Sequence, residues 1–156
     1  MANNIDARLQ ELGITIPDAP APAANYVPFT ISGNLVFVAG QVPFVDGKLT
    51  ATGRIGEDAS VEDGYEQARI CAINLIAQVK VACGGDLDRV RRVVKLGGFV
   101  ASAPNFTGQP GVVNGASDLM VEVFGDAGKH ARSAVGVPVL PLNAAVEVDA
   151  IVALKG

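Results

Sequence analysis

The stretch AVEVDAIVAL at residues 145–154 decides the fold class of this chain. Successive side chains of a β-strand point to opposite faces, so the alternation defines two faces of one strand. One face is wholly apolar and is formed by Val146, Val148, Ala150, Val152 and Leu154. The other is small and mixed, and is formed by Ala145, Glu147, Asp149, Ile151 and Ala153. Helices can cover the apolar face, but the mixed face left in water would be an exposed patch. We therefore expect the mixed face to pack against another copy of the chain.

The segments upstream of this strand predict two long helices and several further strands. Ser60 can cap a helix that runs from Val61 to Ala82, because apolar residues recur there at spacings of three and four. Helical spacing returns over residues 112–124. Strands are predicted over residues 26–32 and 35–39, which a Gly33-Asn34 turn joins, and over residues 90–101 and 132–137.

The resulting order, β-β-α-β-α-β-β, is not a regular βαβα alternation. It predicts an α+β fold with one mixed, mainly antiparallel sheet and both long helices packed on one face. A short amphipathic helix over Asn4–Leu12 and a Pro/Ala connector, DAPAPAA at residues 18–24, precede this unit. The connector is too short to separate two domains. We therefore expect a single domain over residues 1–156, with the N-terminal helix and connector at residues 1–25.

The composition excludes several classes of function. Of the 156 residues, 12 are Lys or Arg and 16 are Asp or Glu, so the net charge is −4. This chain has no basic surplus to neutralise a nucleic-acid backbone, which argues against a nucleic-acid partner. One His and two Cys barely supply soft ligands for a zinc site. No apolar run has the roughly 20 residues of a membrane span, and no signal peptide is evident. The expected location is cytoplasmic, with no membrane partner.

Four weaker sequence features favour structural or solvent-exposed roles. Cys71 and Cys83 lie roughly 18 Å apart on one predicted helix, too far for a disulfide, and are expected to be buried free thiols. The sequence GDAGKH at residues 125–130 has its glycines too close together for a phosphate loop and is expected to end a helix. His130 in that loop is expected to be exposed and inert. A basic run is expected to be a solvated strand end and comprises Arg89, Arg91, Arg92 and Lys95.

Arg132 and Glu147 are the charges that suggest a functional site. Each lies within an apolar, strand-like stretch, and buried Arg and Glu residues usually have a partner or a function. One interpretation is a salt bridge between adjacent strands. The other is a pair of site residues, and the spacing alone does not decide between the two.

Several separated motifs closely resemble those of the YjgF/RidA family, the reactive imine and enamine deaminases. The motifs are ARSAV at residues 131–135, LP at 140–141, VEVDAI at 146–151, Tyr26, GN at 33–34 and AGQVP at 39–43. Asn114 falls where the family has an Asn that opens its second helix. The resemblance runs from about residue 26 to residue 154, nearly the whole chain.

The resemblance implies a homotrimer of chorismate-mutase-like subunits, with sheets facing inward and a ligand cleft at each subunit interface. Arg132 would hold the carboxylate of a small-molecule substrate, because a planar guanidinium can donate two parallel hydrogen bonds. Glu147 would activate water for attack on the C=N carbon. The implied substrate-binding set is completed by Tyr26, Gly40, Asn114 and Ala134. No metal or organic cofactor is implied, because an imine is already electrophilic.

Two residues depart from the family pattern. Ala39 replaces the typical Ser before Gly-Gln, and Ala134 replaces the typical Cys two residues after the Arg. The leading expectation is hydrolysis of small 2-imino or 2-enamino acids to 2-oxo acids and ammonia. The alternative is a non-catalytic binder of small carboxylates or metabolites, since losing polar groups harms chemistry more than capture. Ribonuclease activity is the least favoured, because the acidic chain lacks a catalytic His pair and an aromatic stacking platform.

Overall fold

The computed structural model describes residues 4–20 and 24–156 of the chain. Three α-helices lie in this part: α1 Asn4–Leu12, α2 Val61–Ala82 and α3 Gln109–Phe124. The strands described are β1 Phe29–Ser32, β2 Leu35–Gln41, β3 Phe44–Val45, β4 Lys48–Leu49, β5 Val90–Ala101, β6 Ala131–Val137 and β7 Val146–Leu154. Short 3₁₀ turns separate some of these elements. The predicted α+β fold is confirmed.

Five strands form one sheet in the order β1-β2-β7-β5-β6. Every neighbouring pair is antiparallel except β5 and β6, which are parallel and connected through α3. The last strand of the chain, β7, therefore lies in the middle of the sheet. β3 and β4 form a separate small hairpin around Asp46 and Gly47, which both have the positive φ that a two-residue Asp-Gly turn requires.

Both long helices cover one face of the sheet. α2 begins with a capping box, in which Ser60 accepts from the Asp63 amide and Asp63 accepts from the Ser60 amide. Its apolar side packs on β2 and β7, while α3 packs on β5 and β6. The core between the layers is built from the apolar face of β7 and fully buried helix residues such as Leu75, Val112 and Leu119.

The two helices approach closely because small residues lie between them. A Cβ atom on Gly115 would overlap the carbonyl oxygen of Tyr65 on α2. Only glycine allows this separation of the helix backbones. Gly115 therefore allows close packing of the two helices.

Several sequence-based boundaries differ slightly from the structure. α3 begins at Gln109 rather than 112, because Pro110 fits the first helical turn, where no amide donor is needed. β1 begins at Phe29 rather than 26. Both cysteines are buried free thiols, as expected. Residues 21–23 of the predicted connector lie outside the described residues.

The face of the sheet away from the helices is not covered by any helix or second sheet from residues 4–20 and 24–156. A shallow depression of about 840 Å³ lies on this open face. Its apolar lining includes Phe29, Phe37, Phe99, Val135 and Ile151. Phe37 is 41% exposed and Val135 is 46% exposed, which is unusual for large apolar side chains.

None of the helices within residues 4–20 and 24–156 is both long and apolar enough to cross a bilayer.

Candidate functional site

Glu147 lies on the open face of the sheet, near the N-terminal end of β7. It is the register partner of Phe99 on β5, and its carboxyl group is half-buried. Burial raises the pKa of Glu147 above its ordinary value, and the negative charge of Asp149, two residues along the same face, raises it further. A carboxylate with a raised pKa is a stronger base, which suits general acid–base chemistry.

Gly40 is packed directly against the Glu147 carboxylate. The regular pairing of β2 with β7 shifts between Val38 and Gln41, so Gly40 lies in an irregular part of the strand. A Cβ atom at Gly40 would lie 2.6 Å from Oε2 of Glu147. A larger residue at this position would displace the carboxylate from where it lies, whereas glycine lets the backbone lie beside it.

Glu147 and Gly40 line a small cleft of about 230 Å³. The other lining residues are Pro20, Tyr26, Pro28, Gln41, Val42, Phe44, Pro141 and Leu142. Tyr26 is 49% exposed, so its ring forms one wall of the cleft and faces solvent in the isolated chain. Three of the site residues expected from the sequence, Tyr26, Gly40 and Glu147, are thus brought together.

Leu142 at the rim of this cleft was not predicted as a site residue. Its φ is 61° and that of Asn143 is 60°, both in the left-handed region. This conformation is uncommon for Leu, which is also 64% exposed. The sequence does not indicate this left-handed conformation, because Asn or Gly rather than Leu usually occupies such positions.

Arg132 lies elsewhere, on the edge strand β6. Its Nη1 group donates hydrogen bonds to Oδ1 of Asn114 at 2.8 Å and to Oγ of Ser117 at 3.1 Å, both on α3. Asn114 and Ser117 are three residues apart and therefore share one side of the helix. Two of the residues expected to bind substrate, Arg132 and Asn114, are therefore in contact, and Ser117 is a further contact that the sequence analysis did not predict.

Ala134 follows Arg132 on the same side of β6 and packs partly against the core. Because β6 is at the edge of the sheet, one side of its backbone has no strand partner within the described chain. Backbone donors and acceptors along this edge are therefore available beside Arg132.

Arg132 and Glu147 lie on opposite faces of the sheet. Arg132 is in register with Leu96, which is buried beneath the helices, whereas Glu147 is in register with Phe99 on the open face. Strand β5 also separates their two strands. The interpretation of an Arg132–Glu147 salt bridge within one chain is therefore wrong.

His130 is not the exposed, inert imidazole that the sequence suggested. It is partly buried, with Nδ1 at 2.6 Å from the carbonyl oxygen of Gly128 and Nε2 at 2.8 Å from Oγ of Ser117. The prediction rested on the Gly- and Lys-containing sequence of the loop. It was wrong because the loop packs beside α3, where Ser117 contacts the imidazole. The glycine-rich segment before it forms a 3₁₀ turn after α3, as expected for a helix end.

Comparison with known proteins identifies the family. A family model described as "YjgF/chorismate mutase-like, putative endoribonuclease" matches residues 6–154. The chain belongs to the YjgF/RidA family. The expected family and the chorismate-mutase-like fold are thereby confirmed.

Members of the YjgF/RidA family resemble this chain over nearly its whole length. Protein TCP17 of Trypanosoma cruzi is 51% identical over 155 residues, which cover 99% of this chain and 96% of the relative. A 2-iminobutanoate/2-iminopropanoate deaminase of Dermatophagoides farinae is 31% identical over 143 residues, covering 91% and 95%. The crystal structure of Atu1372 from Agrobacterium tumefaciens, described as of unknown function, superposes with a TM-score of 0.91 at 54% identity, covering 97% and 92%.

Proposed function

We propose that the protein hydrolyses small 2-imino or 2-enamino acids to 2-oxo acids and ammonia, in a cleft formed between copies of the chain. The observation that carries the proposal is a half-buried carboxylate, Glu147, in a small cleft beside Gly40 and Tyr26. A distant relative that is named as an imine deaminase supports the reaction class.

The opposite placement of Arg132 and Glu147 favours a shared site. A small substrate cannot contact both side chains of one chain, because they project from different faces of the sheet. If a second copy covers the open face, its β6 edge can bring Arg132 to the Glu147 cleft of the first. The uncovered apolar residues of the open face supply the surface for such an association. We propose a homotrimer as the assembly.

In the proposed reaction Arg132 binds the substrate, and Glu147 transfers the protons. Arg132 holds the substrate carboxylate through paired N–H donors. The Glu147 carboxylate accepts a proton from water while the water oxygen bonds to the imine carbon and the C=N electron pair moves to nitrogen. Glu147 returns that proton to nitrogen, giving a carbinolamine. The C–N bond then breaks as the hydroxyl proton passes through Glu147 to the nitrogen, which releases ammonia and leaves the 2-oxo acid. An enamine enters this sequence after tautomerising to the imine.

Ammonia release tests this proposal directly. An amino-acid oxidase generates a panel of 2-imino acids in situ, and 2-oxo acid and ammonia formation are followed with and without the protein. We expect acceleration over the background rate and its loss by at least about a hundredfold in Glu147→Gln. Glu66→Gln, which removes an exposed carboxylate from α2, is the matched control and should retain the parent rate. Background rates across the whole panel would refute the proposed activity.

Loss of two polar side chains favours a second candidate, a non-catalytic binder of small carboxylates. Ala39 and Ala134 stand where the family typically has Ser and Cys. Thermal-shift measurements with 2-oxo acids separate the two functions. If 2-oxo acids stabilise the parent but not Arg132→Lys, and no imine is turned over, the protein is a binder of small carboxylates rather than an enzyme. Lysine cannot reproduce the bidentate fork of the guanidinium.

The description of the family also names endoribonuclease activity, which we do not expect here. The chain carries a net charge of −4, and the Glu147 cleft of about 230 Å³ is small for a nucleotide flanked by phosphates. RNA cleavage that disappeared in Glu147→Gln would contradict this assignment.

A further inference from the structure

The unexpected contacts of His130 connect it to Arg132 through one hydroxyl group. Ser117 on α3 lies between them, with its Oγ at 2.8 Å from His130 Nε2 and at 3.1 Å from Arg132 Nη1. On its other side, the imidazole contacts the Gly128 carbonyl oxygen at 2.6 Å through Nδ1. These groups form a continuous chain from a backbone carbonyl to the guanidinium.

The direction of each hydrogen bond in this chain follows from the chemistry of the groups. A carbonyl oxygen can only accept, so Nδ1 of His130 carries a hydrogen and, in the neutral imidazole, Nε2 is an acceptor. A guanidinium can only donate, so Oγ of Ser117 accepts from Arg132. The hydroxyl hydrogen of Ser117 is then directed to Nε2 of His130. Each hydrogen bond of this chain therefore joins one donor to one acceptor, and no two donors or two acceptors face each other.

The same contacts divide the guanidinium of Arg132 into a bound and a free side. Nη1 has two hydrogens, and both are used, one by Asn114 Oδ1 and one by Ser117 Oγ. Within the described residues, Nε and Nη2 of Arg132 have no acceptor. Two parallel donors remain only on the Nε–Nη2 side, since a fork that used Nη1 and Nη2 would break one of the existing bonds.

We propose that Ser117 and His130 are positioning residues that fix the Arg132 guanidinium so that it grips a carboxylate through Nε and Nη2. The identity of that carboxylate as an imino or oxo acid rests on the proposed function, but the fixed orientation of the guanidinium does not. The hydroxyl supplies the second anchor of Nη1, and the imidazole holds the hydroxyl in the rotamer that accepts from arginine.

The orientation can be tested without any ligand. Nitrogen-15 NMR of the Arg132 side chain reports rotation of the guanidinium and exchange of its hydrogens. We expect slow rotation in the parent, and rotation at least several-fold faster in Ser117→Ala and in His130→Phe. Ser32→Ala, at the exposed last residue of β1, is the control and should match the parent. Identical rotation rates in the parent and both site variants would overturn the proposal, whether or not the protein is a deaminase.

The kinetic test uses the assembled protein and 2-imino acids. Losing one of the two Nη1 anchors should raise KM about five- to tenfold in Ser117→Ala or His130→Phe, with little change in kcat. The double variant should be no worse than either single variant, because both remove the same anchor.

His130→Gln should restore much of the affinity, since its amide oxygen can accept from Ser117. Additive losses, or no rescue by Gln in a protein with parent-like thermal stability, would show a merely structural role. If the parent lacks turnover, the proposed function fails while the NMR result still decides the positioning role.

Discussion

Glu147 shows how the surroundings of a carboxyl group can raise its pKa. Gly40 packs against the carboxylate without leaving room for a Cβ atom, and Asp149 places a second negative charge on the same face. Burial of the carboxyl group and repulsion by Asp149 both disfavour the ionised form. The ionised residue is therefore held at a cost to the stability of the chain.

This cost predicts a pH-dependent stability difference between the parent and Glu147→Gln. Because folding raises the pKa of Glu147, its contribution to stability is fully present below the unfolded value of 4.5 and is lost as pH rises through the folded pKa. We expect Glu147→Gln to unfold at a higher temperature than the parent at about pH 7.5, with the difference shrinking toward about pH 4. Thermal unfolding followed by circular dichroism at both pH values measures it. A parent that is more stable than Glu147→Gln at pH 7.5 would contradict the burial argument.

At the same scale, the sequence identified most candidate side chains but not their arrangement. Arg132 and Glu147 stood out because charged residues rarely occur within apolar strands. That they lie on opposite faces depends on which strands are neighbours and in which register, which one sequence does not state. Ser117 and His130 were missed for a related reason, since their contact exists only after α3 has packed beside the loop.

At the scale of elements, the periodicity of apolar residues was sufficient to predict the bounds of an element that has one buried side. The predicted helix from Val61 to Ala82 and the strand over Val90–Ala101 agree with the structure at both ends. Boundaries were less accurate where proline or tight turns intervene, as at the start of α3. The parallel pairing of β5 with β6 was not predictable from strand patterns, because alternation is the same in both directions.

The α2–α3 contact predicts a large effect of a single methyl group. Gly115→Ala would place a Cβ against the Tyr65 carbonyl and force the helices apart, lowering the free energy of unfolding by about 1–3 kcal/mol. Gly111→Ala in the same helix is the matched control, since its Cβ would meet only a Val61 methyl group at 3.5 Å. That change should be neutral or stabilising, because alanine favours helix more than glycine does. Urea titration of both variants decides the matter, and equal stability would show that the helices are not in tight contact.

At the scale of the whole molecule, the open face predicts self-association. We expect a trimer of about 48 kDa, three times the 16.0 kDa chain, by size exclusion with light scattering at micromolar concentration. Burial of the apolar open face would contribute roughly 25 cal/mol per Å².

A charge on the open face tests which surface is used. Phe37→Glu should dissociate the assembly, whereas Val81→Glu should not, because that exposed valine lies on α2, away from the open face. Dissociated protein should also lose substrate turnover if the cleft is shared. A parent that remains monomeric would remove both the trimer and the interfacial cleft.

The central position of β7 has a consequence for biosynthesis. β2 and β5 do not pair with each other, and each is joined to the sheet through β7, which follows both of them in the chain. At roughly 5–20 residues per second, translation of the preceding part of the chain takes on the order of ten to thirty seconds. During that interval the nascent chain can form α2 and the first hairpin, but the sheet has a gap in its middle. Closure of the sheet must therefore wait until β7 itself has been synthesised.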